Sequence, residues 1–93
     1  MQTPLDLGAD IVLHSCTKFL GGHSDLLGGA LITKHQGLRD HLWRQRMVLG
    51  SVLGNLETYL LLRSLRSVHV RVKKQSKNAV KIALWLSEQK QVK

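Results

Sequence analysis

Residues 14–25 read His14-Ser15-Cys16-Thr17-Lys18-Phe19-Leu20-Gly21-Gly22-His23-Ser24-Asp25. This stretch decides how the rest of the chain is interpreted. It follows the short apolar run Ile11-Val12-Leu13, which is typical of a buried strand. A lysine at the end of a strand can have its amine held in a pocket, and an amine shielded from bulk water is the better nucleophile. Lys18 is therefore the first candidate for a reactive residue.

Two hydroxyl side chains, Ser15 and Thr17, stand at alternate positions directly before Lys18. Alternate side chains of an extended segment face the same side, so these hydroxyls are predicted to hold one anionic group such as a phosphate. The pair Gly21-Gly22 allows backbone conformations with positive φ and close approach to a ligand. A reactive amine, two phosphate-holding hydroxyls and a glycine pair are what an enzyme needs to hold pyridoxal phosphate as a Schiff base.

The same residues carry a family resemblance. Residues 15–25, with residues 4–12 before them, resemble the cofactor-lysine segment of the Cys/Met-metabolism pyridoxal-phosphate enzymes. These are the cystathionine synthases and lyases and their sulfhydrylase relatives. The likeness continues through Gly28-Gly29 and resumes at residues 61–67, which resemble the long helix that leads out of the family's large domain. Cys16 stands where the family usually has alanine, a mild change for a small buried side chain.

The resemblance implies a fold, a cofactor and a reaction. The fold is α/β, with residues 1–54 forming the end of a fold-type I large domain and residues 55–93 a long helix toward a C-terminal domain. The cofactor is pyridoxal 5′-phosphate, with Lys18 as the Schiff-base and catalytic lysine and with Ser15 and Thr17 on its phosphate. The substrates are sulfur amino acids, which undergo elimination or replacement at Cβ or Cγ. The resemblance also implies a homodimer or homotetramer, and we expect no metal.

The length of the chain limits what it can do alone. Ninety-three residues bury only a modest fraction of their surface. The resemblance implies an aspartate that pairs with the pyridine nitrogen and an arginine that binds the substrate carboxylate, and neither has a counterpart in this sequence. We therefore expect a central piece of an enzyme that shows no carbon–sulfur bond cleavage by itself. An inactive fragment is the first alternative to the enzyme.

The apolar pattern predicts the elements of the fold. Ile11-Val12-Leu13 and Ala30-Leu31-Ile32-Thr33 are short apolar runs that predict two strands, with the lysine loop between them. The pattern is helical from Gln36 onward and predicts a first helix over about residues 37–47. A long second helix is expected from Asn55, which is a suitable N-cap. Residues 67–70 are its weak spot, because β-branched residues lose rotamer freedom in helices.

The net charge of +8 raises a second alternative, a basic nucleic-acid-binding module. Residues 55–93 carry nine Lys or Arg side chains against only Glu57 and Glu88. Their positions drift around the predicted helix, and aromatic residues for base stacking are almost missing, so we expect a solvated face. No apolar stretch approaches the ~20 residues that cross a bilayer, and the start of the sequence lacks a signal-peptide pattern. We expect a cytoplasmic protein with no nucleic-acid or membrane partner.

Several residues near the lysine have other interpretations. His14 and His23 are metal-binding types, but no third ligand stands at a matching spacing. Residues 23–25 contain the residue types of a hydrolase triad, yet consecutive residues cannot converge on one centre. We expect His23 and Asp25 to hydrogen-bond the loop that carries the lysine. Strand alternation is expected to turn Cys16 into the core.

Overall fold

The computed structural model describes residues 2–92, which form two strands and three helices in the order β1, β2, α1, α2 and α3. The short strands come first, and the helices follow. Their bounds are β1 Val12–Ser15, β2 Gly29–Ile32, α1 Gln36–Leu49, α2 Asn55–Leu65 and α3 Val68–Ser87. One further helical turn, Cys16–Leu20, lies directly after β1 and is called the lysine turn below.

The two strands form an antiparallel pair, with Val12 opposite Ile32 and Ser15 opposite Gly29. The Cys16 N–H donates to the Gly28 carbonyl at 2.8 Å, which continues the pairing one residue beyond the strands. Both predicted strands are therefore present, each displaced by one or two residues. The pairing anchors both ends of residues 16–28, the segment that contains Lys18.

Helix α1 matches its predicted position to within about two residues. It ends at Gly50, which has a φ of +68° and donates its N–H to the Arg46 carbonyl. A left-handed residue is a common helix terminator, and glycine adopts this conformation without a steric cost. The Arg46 guanidinium lies 4.3 Å from the centre of the Trp43 ring, a cation–π distance on the helix surface.

The single long helix predicted after Asn55 is wrong, because the structure has two helices there. The first, α2, ends at Leu65, and α3 begins at Val68. Between them Ser67 has φ −108° and ψ 0°, and its N–H donates to the Ser64 carbonyl, only three residues back. The Ser67 hydroxyl donates to the same carbonyl at 3.2 Å. Serine hydroxyls compete with the helix for backbone carbonyls, and the break falls in the stretch expected to be weak.

The buried residues lie around the lysine turn. Within residues 2–92, Cys16 and Leu26 are the buried apolar side chains, and Ser64 of α2 is the buried polar one. The lysine turn contacts both α2 and α3, so the packed part of the molecule is where these three segments meet. None of the helices in this range combines the length and the hydropathy needed to cross a bilayer.

Candidate functional site

The backbone of the lysine turn is held by hydrogen bonds on the C-terminal side of Lys18. The Gly21 N–H donates to the Cys16 carbonyl at 2.7 Å, and the Gly22 N–H donates to the Lys18 carbonyl at 2.7 Å. Lys18 itself departs from helical geometry, with φ −92° and ψ −118°. The first of these hydrogen bonds reaches five residues back along the chain and the second reaches four. Together they close the turn around Lys18, whose side chain is exposed.

A wide groove of about 1100 Å³ opens beside this turn. Ligand-binding clefts commonly have volumes of about 300–1,000 Å³, so the groove has room for a small molecule. Its walls come from the lysine turn, from residues 22–27 after it, from the segment that leads into α2, and from Gln75 of α3. The polar side chains that line it are those of Thr17, Lys18, Ser24, Asp25, Glu57 and Gln75.

Of the three predicted site residues, Thr17 and Lys18 line the groove, whereas Ser15 does not. Ser15 is exposed at the last position of β1, opposite Gly29. The argument from strand alternation does not reach Thr17, because the chain leaves the strand at Cys16 and Thr17 lies within the helical turn. The structure therefore places one of the two hydroxyls in the groove with the lysine.

The Thr17 hydroxyl and the Lys18 amine are both available to a ligand. Thr17 Oγ1 accepts a hydrogen bond from the Gly28 N–H at 3.1 Å, which leaves its own O–H free to donate. The amine of Lys18 makes no ion pair with any carboxylate within the described part of the chain. A primary amine and a hydroxyl donor therefore point to chemistry with an electrophilic, anionic ligand.

Cys16, between the two hydroxyls, is buried as predicted, with 1% of its surface exposed. Burial raises the pKa of the Cys16 thiol, since an apolar environment disfavours the thiolate. The Cys16 side chain is thus a neutral packing group at the start of the lysine turn.

His23 ties the segment after the lysine turn to α2. Its Nδ1 lies 2.7 Å from the Gly21 carbonyl oxygen and 3.3 Å from Ser64 Oγ. A carbonyl only accepts, so Nδ1 carries the hydrogen and Nε2 does not in the neutral ring. The predicted hydrogen bond from His23 to the loop is therefore present. Asp25, expected to do the same, lines the groove instead.

The sequence analysis missed two residues of this region, Arg71 and Ser64. Arg71 donates hydrogen bonds to the carbonyls of Phe19 and Leu20, which lie 52 and 51 residues away in the sequence. Ser64 lies next to His23, at a separation of 41 residues. No spacing rule connects positions so far apart, and Arg71 was interpreted as one of several solvated basic residues.

The hairpin, the lysine turn and the three helices define a segment of an α/β protein with a lysine in an open groove. The chain belongs to the family described as Cys/Met metabolism PLP-dependent enzymes, whose sequence profile matches residues 1–93. The resemblance inferred from residues 15–25 is thereby confirmed, as is the α/β fold class.

Similar proteins include two from Bacillus subtilis (strain 168). Cystathionine beta-lyase MetC is 44% identical over 93 residues, a match that covers 100% of this chain and 24% of the relative. Cystathionine gamma-synthase/O-acetylhomoserine (thiol)-lyase is 39% identical over 92 residues, covering 99% of this chain and 25% of the relative. This chain therefore spans about a quarter of the length of these curated relatives.

Solved structures give the same result. The crystal structure of metB from Corynebacterium glutamicum superposes with a TM-score of 0.95 at 39% identity, covering 99% of this chain and 24% of that one. Cystathionine gamma-lyase from Lactobacillus plantarum, complexed with L-serine, gives a TM-score of 0.92 at 40% identity, with 96% and 23% covered. The hairpin, lysine turn and helices are thus arranged as in a contiguous part of these enzymes.

The groove fits the cofactor that the family name implies. Pyridoxal phosphate offers an aldehyde, for which a primary amine is the chemical partner, and a phosphate, for which hydroxyl and N–H donors are the partners. Lys18 supplies the amine and Thr17 a free O–H donor, and both line the same groove. The donor set at the lysine turn therefore agrees with the cofactor.

Proposed function

We propose that these 93 residues are the cofactor-lysine segment of a pyridoxal-phosphate-dependent enzyme that acts on sulfur amino acids. The enzyme would synthesise cystathionine or cleave its carbon–sulfur bonds, by elimination or replacement at Cβ or Cγ. The observation that carries the proposal is that the side chains of Lys18 and Thr17 line the same open groove, and that the Lys18 amine forms no ion pair within residues 2–92. The names of the Bacillus subtilis relatives support the substrate class.

Lys18, Thr17 and Ser15 would have separate roles in the reaction. The cofactor, when bound, supplies an electron sink for the negative charge that develops at the substrate Cα. The Nζ of Lys18 would remove the Cα proton and later return a proton elsewhere on the substrate. The Thr17 hydroxyl, which lines the groove, would hold the phosphate, and the Ser15 hydroxyl at the end of β1 would supply a second donor.

The direct test is to trap the cofactor on the lysine. The full-length protein is incubated with pyridoxal phosphate, reduced with borohydride, digested and mapped by mass spectrometry. We expect the reduced cofactor on the peptide that contains Lys18. A label on another lysine, or no label at all, would contradict the proposal. Incubation with cystathionine then separates β- from γ-cleavage, because the first releases pyruvate and the second 2-oxobutyrate.

Replacing Ser15 and Thr17 together with alanine should weaken cofactor retention by a few kcal/mol. A hydrogen bond to a charged group is worth about 1.5–3 kcal/mol, and the double substitution removes two proposed donors. Because Thr17 lines the groove and Ser15 does not, the single substitution Thr17→Ala should weaken cofactor binding more than Ser15→Ala does. Equilibrium titration with pyridoxal phosphate measures both.

The matched control for these hydroxyls is Thr33→Ala. Thr33 directly follows β2 and does not line the groove, and its Oγ1 accepts a hydrogen bond from the His35 N–H. Cofactor affinity should be unchanged in this variant. If the double variant at positions 15 and 17 also kept its affinity, other groups would hold the phosphate.

We further propose that the full-length enzyme is a homodimer or homotetramer in the cytoplasm. Large apolar side chains on the helix surfaces, such as Trp43, Met47 and Trp85, support contact with further protein surface. Light scattering on the full-length protein measures the assembly, and cell fractionation its location. A monomer, or a membrane-bound fraction, would contradict this part of the proposal.

A further inference from the structure

We propose that Arg71 is the residue that positions Lys18. Its guanidinium donates hydrogen bonds both to the two carbonyls that follow the lysine and to residues at the break between α2 and α3. The inference rests on the proposed function, because it concerns the same lysine. It adds a residue from α3, far away in the sequence, to the groups on which the geometry of the site depends.

The contacts of Arg71 connect three segments. Its Nη1 donates to the Phe19 carbonyl at 2.9 Å, and its Nη2 donates to the Leu20 carbonyl at 3.2 Å and to the Ser64 carbonyl at 3.0 Å. Its Nε donates to the Ser67 hydroxyl at 3.0 Å. A planar guanidinium has five N–H donors in a fixed fork, so these partners are fixed relative to one another. The lysine turn, the end of α2 and the start of α3 are thereby joined through one side chain.

The carbonyls at the end of the lysine turn need such a donor. The last carbonyls of any helical segment have no partner within the segment. In this turn the Lys18 carbonyl accepts a hydrogen bond from the Gly22 N–H. The carbonyls of Phe19 and Leu20 accept hydrogen bonds from Arg71. Every carbonyl from position 18 to position 20 is thus bonded, two of them to a charged donor. The backbone on the C-terminal side of the lysine cannot rotate without breaking these bonds.

Gly22 provides an independent observation for the same contact. Its φ is +74°, and a Cβ built on it would overlap the Nη1 and Cζ atoms of Arg71. Any other residue at this position would therefore displace the guanidinium from the turn. The second glycine of the Gly21-Gly22 pair leaves the space that Arg71 occupies.

Positioning matters for catalysis because the Lys18 amine must lie accurately against the atom with which it reacts. A misplacement of about 1 Å can cost ~100-fold in rate. Lys18 has a long flexible side chain, so its backbone must be fixed for the amine to reach one point reproducibly. Arg71 does not itself line the groove, and its hydrogen bonds to the lysine turn go to the backbone carbonyls of Phe19 and Leu20, so it acts through the backbone that carries the lysine.

The first measurement is amide hydrogen exchange in the full-length protein. Arg71→Ala should accelerate exchange of the Gly22 amide, which bonds to the Lys18 carbonyl, by about ten- to a hundredfold. The β1–β2 amides should keep their rates, since none of them bonds to Arg71. Arg71→Lys should behave like Arg71→Ala, because one ammonium cannot replace the fork. Arg66→Ala, the matched control, removes an exposed guanidinium near the same break and should change nothing.

The second measurement is the initial rate at which pyridoxal phosphate is trapped on Lys18 by borohydride. Arg71→Ala should lower this rate about tenfold or more, since a displaced amine reacts less efficiently. Gly22→Ala should lower it as well. Adding Gly22→Ala to Arg71→Ala should have much less effect than adding it to the natural sequence, because the overlap is then gone.

These outcomes separate the inference from the proposed function. If Lys18 takes no label in the natural sequence, the proposed function fails, and the exchange rates still decide whether Arg71 holds the turn. Unchanged exchange at Gly22 in Arg71→Ala would overturn the inference. Equal acceleration in the β1–β2 amides would overturn it too, because Arg71 would then support the fold as a whole. Full additivity of the Gly22 and Arg71 substitutions would also contradict it.

Discussion

Replacing Lys18 with alanine in the full-length protein should abolish the borohydride-trapped label and lower the proposed carbon–sulfur bond chemistry by about 10²–10⁴-fold. That range is the usual contribution of a positioned acid–base group. The loss should be large because Lys18 carries the only amine among the side chains that line the groove in the described residues. Peptide mapping measures the label, and release of the keto acid measures the reaction.

Lys34→Ala is the matched control for this substitution. Lys34 is an exposed lysine after β2 that pairs with Asp6, and this contact lowers the pKa of the Asp6 carboxyl. It lies outside the groove, so the variant should keep both the label and the activity. Activity retained in Lys18→Ala, or lost equally in both variants, would show that Lys18 is not the catalytic amine.

The 93-residue polypeptide, produced by itself, should show neither carbon–sulfur bond cleavage nor a cooperative unfolding transition. Within residues 2–92 the buried apolar side chains are those of Cys16 and Leu26, whereas Trp43 and Trp85 are 57% and 60% exposed. Folding must offset a conformational entropy of about 1–2 kcal/mol per residue, and so little burial cannot supply that. The exposed apolar faces of the helices should instead lead to self-association.

Thermal unfolding followed by circular dichroism, together with light scattering, measures this expectation. The reaction should also fail for a chemical reason, because the resemblance implies an aspartate on the pyridine nitrogen and an arginine on the substrate carboxylate that these residues do not supply. A monomeric, cooperatively folded polypeptide that released pyruvate or 2-oxobutyrate from cystathionine would contradict the prediction.

The elements that the sequence predicted correctly are those set by local patterns. The two strands follow from apolar runs bounded by glycine, and α1 ends where Gly50 adopts a positive φ. The break after α2 was located only as a weak spot, because β-branched residues lower helix propensity without ending a helix. What ends this helix is the hydroxyl of Ser67 on the Ser64 carbonyl, a competition that propensity does not specify.

The site was predictable only in part, for a similar reason. Lys18 and Thr17 are neighbours in the sequence, so the motif alone was enough to predict that both side chains belong to one site. The prediction that Ser15 shares one face with Thr17 assumed an extended chain, and the strand ends between them. The contacts of Arg71 and Ser64 join positions more than forty residues apart, which only the packing of α2 and α3 against the turn brings together.

The Ser64 carbonyl, where the break occurs, accepts from the Ser67 N–H, the Ser67 hydroxyl and Arg71. Helix α3 continues for 20 residues from this point, or about 30 Å at 1.5 Å per residue. Arg71 lies in the first turn of α3, so a rotation of the helix about the break that moves its far end by several ångströms moves the guanidinium by only a small fraction of that distance. Under the proposed role of Arg71, the direction of α3 would bear on the aim of the Lys18 amine, and a partner bound at the distant end of this helix would act on the lysine through one side chain.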